Sequence, residues 1–382
     1  MMRPMKLAGN QLVFGKNSLE YLKTLHTKRT VIVLGGSSMI KSGMLAKVQE
    51  YLEEVGAKTM VVEGVEPDPS FATVMRGARE MIDFVPDLIV ALGGGSVMDA
   101  AKTMWIYYEH PELTTLEEVL LANPFPTLRK KALFCCIPST AGTASEVSRS
   151  VVISDNETGM KHGLGNMEMM PDIAICDPEV TLSMPPHITA ETGMDALTHA
   201  IEALVSTRAN YLATTLAERA ALDIMEYLPQ AYEDGSNLKV REIMLNASMV
   251  AGLAFTNVSL GIVHSMAHAL GGFFHVPHGL GDAILLPYVI AFNSADSNAN
   301  KIYRELAWKA GEEDLLQVVY RLNQKIKIPA ALCEIIKEED IYMELVDKMA
   351  HAAKADGCTK TNPIIPTIDQ LKTLFIKAYK GE

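Results

Sequence analysis

The amino-acid sequence predicts a doubly wound α/β domain followed by an all-helical domain. Three observations support this fold class. Short apolar runs alternate with helical patterns in the first half, strand signals nearly vanish after residue 185, and 382 residues are too many for one simple core. The change of pattern falls at the Pro-Pro pair 185–186, so the predicted domains cover residues 1–184 and 185–382.

The first half predicts four strands separated by helices. The strands are expected at residues 30–34, 59–63, 88–92 and 132–137, and the helices at 39–55, 71–84 (capped by Ser70) and 97–107. Residues 88–92 form a continuous apolar run, which is typical of a strand buried on both faces of a parallel sheet. Residues 113–131 are predicted to be a surface connection, and residues 150–154 with the segment from Met160 onward a hairpin.

The second half predicts helices throughout. Ala, Leu, Met and Glu recur at helical spacing over residues 188–228, 240–254, 259–272, 301–327 and 338–354. This composition predicts the all-α C-terminal domain.

Charge and cysteine content exclude several classes of partner and location. The net charge of −12 argues against a nucleic-acid partner and against an anionic membrane surface, because both need a basic face. No run approaches the roughly 20 apolar residues that span a bilayer, and the N-terminal residues lack the apolar core of a signal peptide. Five cysteines without a Cys-x-x-Cys pair predict free thiols in a reducing cytoplasm.

Two small-residue loops follow predicted strands in the first half. Gly-Gly-Gly-Ser at 93–96 joins the apolar strand to a helix, where glycines let a backbone approach a pyrophosphate and the helix N-terminus supplies free N–H groups. Ser-Thr-Ala-Gly-Thr-Ala-Ser-Glu at 139–146 follows the next strand and offers hydroxyl groups to phosphate or ribose oxygens. A tight turn and a plain polar loop would give the same two patterns. Their position at the carboxyl ends of parallel strands favours nucleotide binding.

One carboxylate and several imidazoles predict a metal site in the second half. Asp195 and His199 are four residues apart in a helical stretch, so they share one helix face. Five of the ten histidines are His199 and the four between residues 264 and 278, with His278 predicted in a loop after a proline. Such N and O donors suit Fe²⁺ or Zn²⁺ better than Mg²⁺ or Ca²⁺. Spacing alone does not select among the histidines at 264, 268, 275 and 278.

Four motifs, in this order, resemble the iron-dependent (group III) alcohol dehydrogenase family. They are Gly-Gly-Gly-Ser-x-x-Asp at 93–99, Pro-Ser-Thr-Ala-Gly-Thr at 138–143, Gly-x-Asp-Ala-Leu-Thr-His at 193–199, and His-x-x-x-His…Pro-His-Gly at 264–279. The match covers essentially the whole chain. The resemblance implies a dehydroquinate-synthase-like fold with an N-terminal dinucleotide-binding domain and a C-terminal helical metal- and substrate-binding domain.

The resemblance also implies roles for individual residues. The metal ligands would be Asp195, His199, His264 and His278, with His268 as a catalytic, non-ligand histidine beside the nicotinamide and substrate. Phe255 and Cys358 would line the substrate pocket. The remaining group would bind the cofactor, and its members are Gly36, Ser37, Gly94, Gly95, Ser96, Asp99, Ser139, Thr140, Thr143, Ser148 and Lys161.

The sequence departs from many NAD-using members of this family just after the first predicted strand. An acid there holds the adenosine ribose in those proteins, whereas this chain has Gly36 followed by Ser37 and Ser38. No carboxylate is left to bond the 2′-hydroxyl or repel a 2′-phosphate, and Lys41 is the only nearby cation. We therefore expect use of both NAD and NADP, with NADP slightly favoured.

These observations predict a cytoplasmic, NAD(P)-dependent and metal-dependent alcohol dehydrogenase or aldehyde reductase. By resemblance, hydride passes between nicotinamide and a small primary alcohol or aldehyde, Fe²⁺ or Zn²⁺ acts as a Lewis acid, and the protein is a homodimer or higher homo-oligomer. One alternative is a lyase or cyclase like dehydroquinate synthase, which needs clustered Lys and Arg that the metal motifs lack. The other is a non-catalytic metal- or nucleotide-binding protein, which predicts a missing ligand or a blocked loop.

Overall fold

The computed structural model describes residues 5–155 and 161–382. The chain falls into two compact units, Met1–Met184 and Pro185–Glu382. The first unit combines strands and helices, and the described part of the second contains only helices and turns.

The described strands of the first unit are β1 (Gln11–Phe14), β2 (Arg29–Val33), β3 (Lys58–Val62), β4 (Leu88–Gly93), β5 (Leu133–Pro138), β6 (Ser150–Ser154), β7 (Lys161–Gly165) and β8 (Ile173–Cys176). Six of them form a parallel sheet at the centre of the unit, with the strand order β1-β8-β5-β4-β2-β3. The other two, β6 and β7, form an antiparallel ribbon. The helices are α1 (Ser38–Lys41), α2 (Met44–Glu54), α3 (Phe71–Phe84), α4 (Gly95–Glu109) and α5 (Leu116–Leu120).

Both faces of the sheet are buried, which confirms the doubly wound α/β prediction. Along β2, Val31 and Val33 belong to a core that includes apolar residues of α3 and α4. Ile32, on the opposite face, belongs to a second core that includes apolar residues of α2 and of the 3₁₀ helix Ser18–Thr24. The alternation follows from the two-residue period of a strand.

The four predicted strands of the sheet are confirmed within one or two residues, and two strands were missed. Both β1 and β8 have only four residues, which is too short for a clear pattern. The helix predicted over 39–55 is divided into α1 and α2 by Gly43, whose φ of 78° ends the first helical turn. The predicted hairpin is present as β6 and β7, although Met160 lies outside the described residues.

Besides two short 3₁₀ helices, nine α-helices form the described part of the second unit, which confirms the all-α prediction. They are α6 (Pro186–Val205), α7 (Tyr211–Glu233), α8 (Leu238–Val258), α9 (Ile262–Phe274), α10 (His278–Asn293), α11 (Ser297–Lys309), α12 (Leu315–Lys325), α13 (Glu339–Ala355) and α14 (Ile368–Lys380). The stretch 188–228 comprises α6 and most of α7, and 301–327 comprises most of α11 and α12. Helices α10 and α14 were not predicted from the sequence.

The position of His278 corrects the sequence prediction. We expected this residue in a loop, but it is the first residue of α10, directly after Pro277. Helix α10 contains Pro287 and is buried from Gly281 to Ile290, so it has no polar face to give a helical period.

Among the described residues, no single helix has the length and hydropathy needed to cross a membrane. The consecutive helices α8 and α9 meet these two criteria only when they are taken together. The chain bends by 100° between them.

Candidate metal centre and nucleotide-binding loops

Three helices of the second unit bring titratable side chains to one point. Asp195 and His199 lie one turn apart on α6, His264 is on α9, and His278 begins α10. Asp195 Oδ1 is 3.4 Å from His199 Nε2, 3.6 Å from His264 Nε2 and 3.9 Å from His278 Nε2. Two ligands of one first-row metal ion are at most roughly 4.4 Å apart, because each bond is about 2.0–2.2 Å long. The spacing therefore suits a shared ion.

A fifth side chain, Asp282, joins this cluster from α10. One donor atom from each of Asp195, His264, His278 and Asp282 lies within 4.8 Å of the others. Three of the four predicted ligands therefore belong to this group. Its fourth member, Asp282, was not predicted from the sequence. Asp282 stands four residues after His278, and this helix-face spacing would have identified it had α10 been recognised.

His199 lies beside this group and does not belong to it by the same distance criterion. Its ring is stacked on that of His264, with centroids 4.6 Å apart, and on that of Phe255, with centroids 4.3 Å apart. Phe255, expected in the substrate pocket, is therefore a packing partner of a predicted ligand.

Several donor atoms of the cluster are buried without a hydrogen-bond partner. They include Asp195 Oδ1, His264 Nε2 and both carboxylate oxygens of Asp282. An unsatisfied buried polar atom is costly, and a charged one is more so. A divalent cation would compensate one oxygen of each carboxylate together with His264 Nε2, so the residues present fit a metal ion.

Electrostatics within the cluster follow from burial and opposite charges. Burial opposes ionisation of Asp195, but the imidazoles of His199, His264 and His278 outweigh it and hold the pKa of Asp195 below its usual value. For His278, burial is the dominant effect and lowers the pKa far below its usual range. The neutral imidazole that results is the form that binds metal ions.

Glu202 fixes the orientation of His264. Its carboxylate accepts hydrogen bonds from the backbone N–H groups of Gly261 at 2.8 Å and Val263 at 2.7 Å, and from His264 Nδ1 at 2.7 Å. With Nδ1 engaged, Nε2 faces the cluster, as in the carboxylate–histidine pairs that support metal ligands. The sequence reading missed Glu202, although it lies seven residues after Asp195 and hence on the same face of α6.

His268 is held by a different carboxylate. Its Nδ1 lies 2.9 Å from Asp356 Oδ2, and Asp356 Oδ1 accepts hydrogen bonds from Ser265 Oγ at 3.2 Å and from the backbone N–H of Cys358 at 2.7 Å. Burial opposes ionisation of Asp356, but His268 and Cys358 outweigh it and hold the pKa of Asp356 below its usual value. The His268 side chain is 31% exposed and its ring stacks on that of His278, with centroids 5.2 Å apart.

In the first unit, the two predicted nucleotide loops pack closely together at the ends of neighbouring strands. The backbone N–H of Ser139 donates to Gly93 O at 2.9 Å. A Cβ atom at Gly95 would lie 2.6 Å from Thr143 Cγ2, and one at Gly94 would lie 3.2 Å from Thr140 Cγ2. The approach of the loops therefore favours glycine, most strongly at residue 95, in addition to any ligand requirement.

Asp99 and Lys102 tie these loops to α4. The Asp99 carboxylate accepts hydrogen bonds from Ser145 Oγ at 2.8 Å and from Val152 N at 2.9 Å. The fully buried Lys102 ammonium donates to the backbone carbonyls of Ser145 at 2.7 Å and Ser148 at 2.8 Å. Asp99 was predicted to contact the cofactor, and both its oxygens are engaged with the protein. The sequence reading missed Lys102.

Two other predicted cofactor residues also have protein partners. Ser148 Oγ accepts a hydrogen bond from Ser150 N at 3.1 Å. Lys161 forms an ion pair of 2.8 Å with Asp68, whose backbone N–H donates to Ser96 Oγ at 3.3 Å. These contacts bring Lys161 close to the glycine-rich loop.

Gly36 and Ser37 follow the carboxyl end of β2, and β2 is the neighbour of β4 in the sheet. Ser37 is the residue before α1. A Cβ atom at Gly36 would meet nothing within 4 Å, so this edge of the loop is open.

Two sequence profiles match most of the chain. The profile described as iron-containing alcohol dehydrogenase matches residues 9–178, and that described as Fe-containing alcohol dehydrogenase family, C-terminal, matches residues 189–379. The NADPH-dependent butanol dehydrogenase of Clostridium saccharobutylicum is 46% identical over 379 residues, which cover 97% of this chain and 96% of that protein.

Longer relatives and solved structures are similar as well. The aldehyde-alcohol dehydrogenase of Streptococcus pneumoniae is 37% identical over all of this chain, which spans 46% of that protein. The iron-containing alcohol dehydrogenase structure from Thermococcus thioreducens superposes with a TM-score of 0.92 at 33% identity, covering 99% of this chain and 100% of that one.

Proposed function

The chain belongs to the iron-containing alcohol dehydrogenase family, and we propose that it is an NAD(P)-dependent enzyme that interconverts small primary alcohols and aldehydes. The observation that carries this proposal is the convergence of three imidazole nitrogens on Asp195 Oδ1 within 3.9 Å. The similarity to an NADPH-dependent butanol dehydrogenase supports a short alcohol or aldehyde as the substrate and NADPH as the reductant.

We propose Asp195, His199, His264 and His278 as the metal ligands. Fe²⁺ is favoured by the family, and Zn²⁺ accepts the same donors. A divalent ion held here would supply Lewis-acid polarisation of the substrate oxygen. Glu202 keeps His264 oriented for this role, because its hydrogen bond occupies the other ring nitrogen.

His268 is proposed as the residue that carries a proton between the alcohol and solvent. The ionised Asp356 accepts the Nδ1 proton, so the Nε2 atom of His268 is left as the proton acceptor. The partial exposure of the His268 side chain is consistent with exchange to water. Cys358 lies beside Asp356, which supports its proposed place at the substrate pocket.

The first unit is proposed to bind the dinucleotide through the β4–α4 loop and the loop after β5. The N-terminus of α4 follows Gly94 and has no side-chain cap, so its first N–H groups are available to a pyrophosphate. The backbone and hydroxyl groups of Ser96, Ser139, Thr140 and Thr143 would complete the site. Asp99 and Ser148 would act mainly by holding the loops, since both already have protein partners.

Cytoplasmic location and a homodimer or larger homo-oligomer are further proposals. All five cysteines are unpaired, which supports a reducing compartment. The oligomeric state rests on the behaviour of the family.

The test combines metal content with turnover. Chelated protein is reconstituted with Fe²⁺ or Zn²⁺, and NADPH and NADH oxidation are followed with butanal and other short aldehydes. His264→Ala should lose both bound metal and activity. His351→Ala is the matched control, because this histidine is in the same unit with a side chain 62% exposed. Full metal content in His264→Ala would refute the ligand assignment.

A further inference from the structure

Asp282 is the residue of the cluster for which the family motifs give no role. It lies on α10, one turn after His278, and is completely buried. Its Oδ2 atom is 3.3 Å from His278 Nε2 and 3.7 Å from His264 Nε2. Neither carboxylate oxygen has a hydrogen-bond partner among the described residues.

A buried carboxylate without donors is destabilising unless a cation or a donor group compensates it. Another fully buried acid of this chain has such partners. Asp177 is equally buried, but its oxygens accept hydrogen bonds from the backbone N–H groups of Leu19 at 3.0 Å and Glu179 at 3.1 Å. Asp282 instead faces the donor atoms that converge on Asp195.

We propose that Asp282 is an additional, carboxylate ligand of the metal ion. This inference rests on the proposed function, because it assumes that Asp195 and the imidazoles hold a divalent ion. Two carboxylates would neutralise the charge of that ion, and a second hard oxygen donor favours Fe²⁺ over softer competitors. Asp282 would thereby set the metal preference and raise the coordination number of the site.

The experiment uses Co²⁺ as a spectroscopic probe and Zn²⁺ in competition with a chromogenic chelator. Asp282→Asn keeps the shape of the side chain and removes its charge. We expect its affinity for both ions to fall by at least roughly tenfold and its visible Co²⁺ bands to change in intensity, because a ligand is lost. Asp177→Asn is the control and should match the wild type in both measurements.

Thermal unfolding separates a ligand role from a folding defect. Metal-free Asp282→Asn should unfold at the same or a higher temperature than metal-free wild type, because it lacks an uncompensated buried acid. Its metal-induced rise in midpoint should be smaller. Asp282→Ser is measured in parallel, so that failure of one variant to fold leaves the question testable.

The two proposals fail in different ways. A wild type that binds neither ion would overturn the metal-dependent function and this inference with it. Tight binding by wild type and Asp282→Asn with identical Co²⁺ bands would overturn the role of Asp282 alone. Weaker binding with unchanged bands would also overturn it, since Asp282 would then act only by positioning other ligands.

Discussion

His264 and His268, one turn apart on α9, are oriented by the same chemistry. Glu202 accepts from Nδ1 of His264, and Asp356 lies at hydrogen-bond distance from Nδ1 of His268. In each case the carboxylate is the partner of Nδ1, which orients the ring and directs Nε2 away from the carboxylate. Two identical side chains thus take different proposed roles because of their position, with His264 buried and His268 partly exposed.

Asp356→Asn tests the support of His268. The amide removes the negative charge that selects the Nδ1–H tautomer, so we expect kcat to fall roughly tenfold or more while KM and metal content stay near wild type. Asp347→Asn, an acid of α13 with a side chain 57% exposed, is the control. Parallel loss of metal would show that Asp356 supports the ligands instead of the proton path.

Glu146 provides a stability prediction in the first unit. The residue is 2% exposed, and burial raises its pKa to about 7 from an ordinary value near 4.5. Between these values the folded state keeps a proton that the unfolded state has lost, so stability falls as pH rises through this interval and levels off above pH 7. The difference corresponds to about 3 kcal/mol.

Glu146→Gln should remove this pH dependence. Relative to wild type, the variant should gain thermal stability between pH 5 and pH 8, whereas Glu117→Gln, at an exposed position of α5, should track the wild type. The measurement is the unfolding midpoint against pH by calorimetry. A wild type and Glu146→Gln whose midpoints differ by the same amount at both pH values would contradict the prediction.

At the scale of elements, the loop between β2 and α1 determines the expected choice of cofactor. Gly36 leaves the loop without a carboxylate, and a side chain there would have open space. We expect the wild type to use both cofactors, with NADPH favoured by about tenfold, which corresponds to about 1.4 kcal/mol. Gly36→Asp should shift the preference toward NADH, because an acid bonds the ribose 2′-hydroxyl and repels a 2′-phosphate.

The measurement is kcat/KM for both cofactors. Gly36→Ala adds a Cβ atom without charge and should retain the wild-type preference, which separates charge from bulk. Strong wild-type preference for NADH would refute our interpretation of this loop and leave the reaction class intact.

Residue spacing allowed prediction of those elements and contacts that are local in sequence. Asp195 and His199 could be paired because one helical turn separates them, and β4 was evident from its continuous apolar run. The contact between His268 and Asp356 joins residues 88 positions apart, and no spacing rule relates them. Asp282 was missed for a different reason: α10 is apolar on nearly every side, so its helical period was hidden.

At the scale of the whole molecule, the two compact units carry separate proposed ligands. All proposed metal ligands lie between residues 185 and 382, whereas the glycine-rich loop and the loop after β5 lie before residue 185. Each ligand should therefore stabilise its own unit first, since a ligand that binds only the folded state adds free energy to the structure that forms its site.

Hydrogen exchange measured by mass spectrometry tests this division. Removal of metal by a chelator should speed amide exchange in α6, α9 and α10 and leave exchange in β4 and β5 nearly unchanged. NADPH should slow exchange in the loops after β4 and β5, in metal-free protein as well. At a free ligand concentration of about 100 times Kd, the expected stabilisation is about 2.7 kcal/mol, or roughly a hundredfold slower exchange for amides that open with the unit. His264→Ala is the internal control, because its exchange should not respond to metal yet should still respond to NADPH. Uniform loss of protection across both units on chelation would show that the metal stabilises the molecule as one cooperative body.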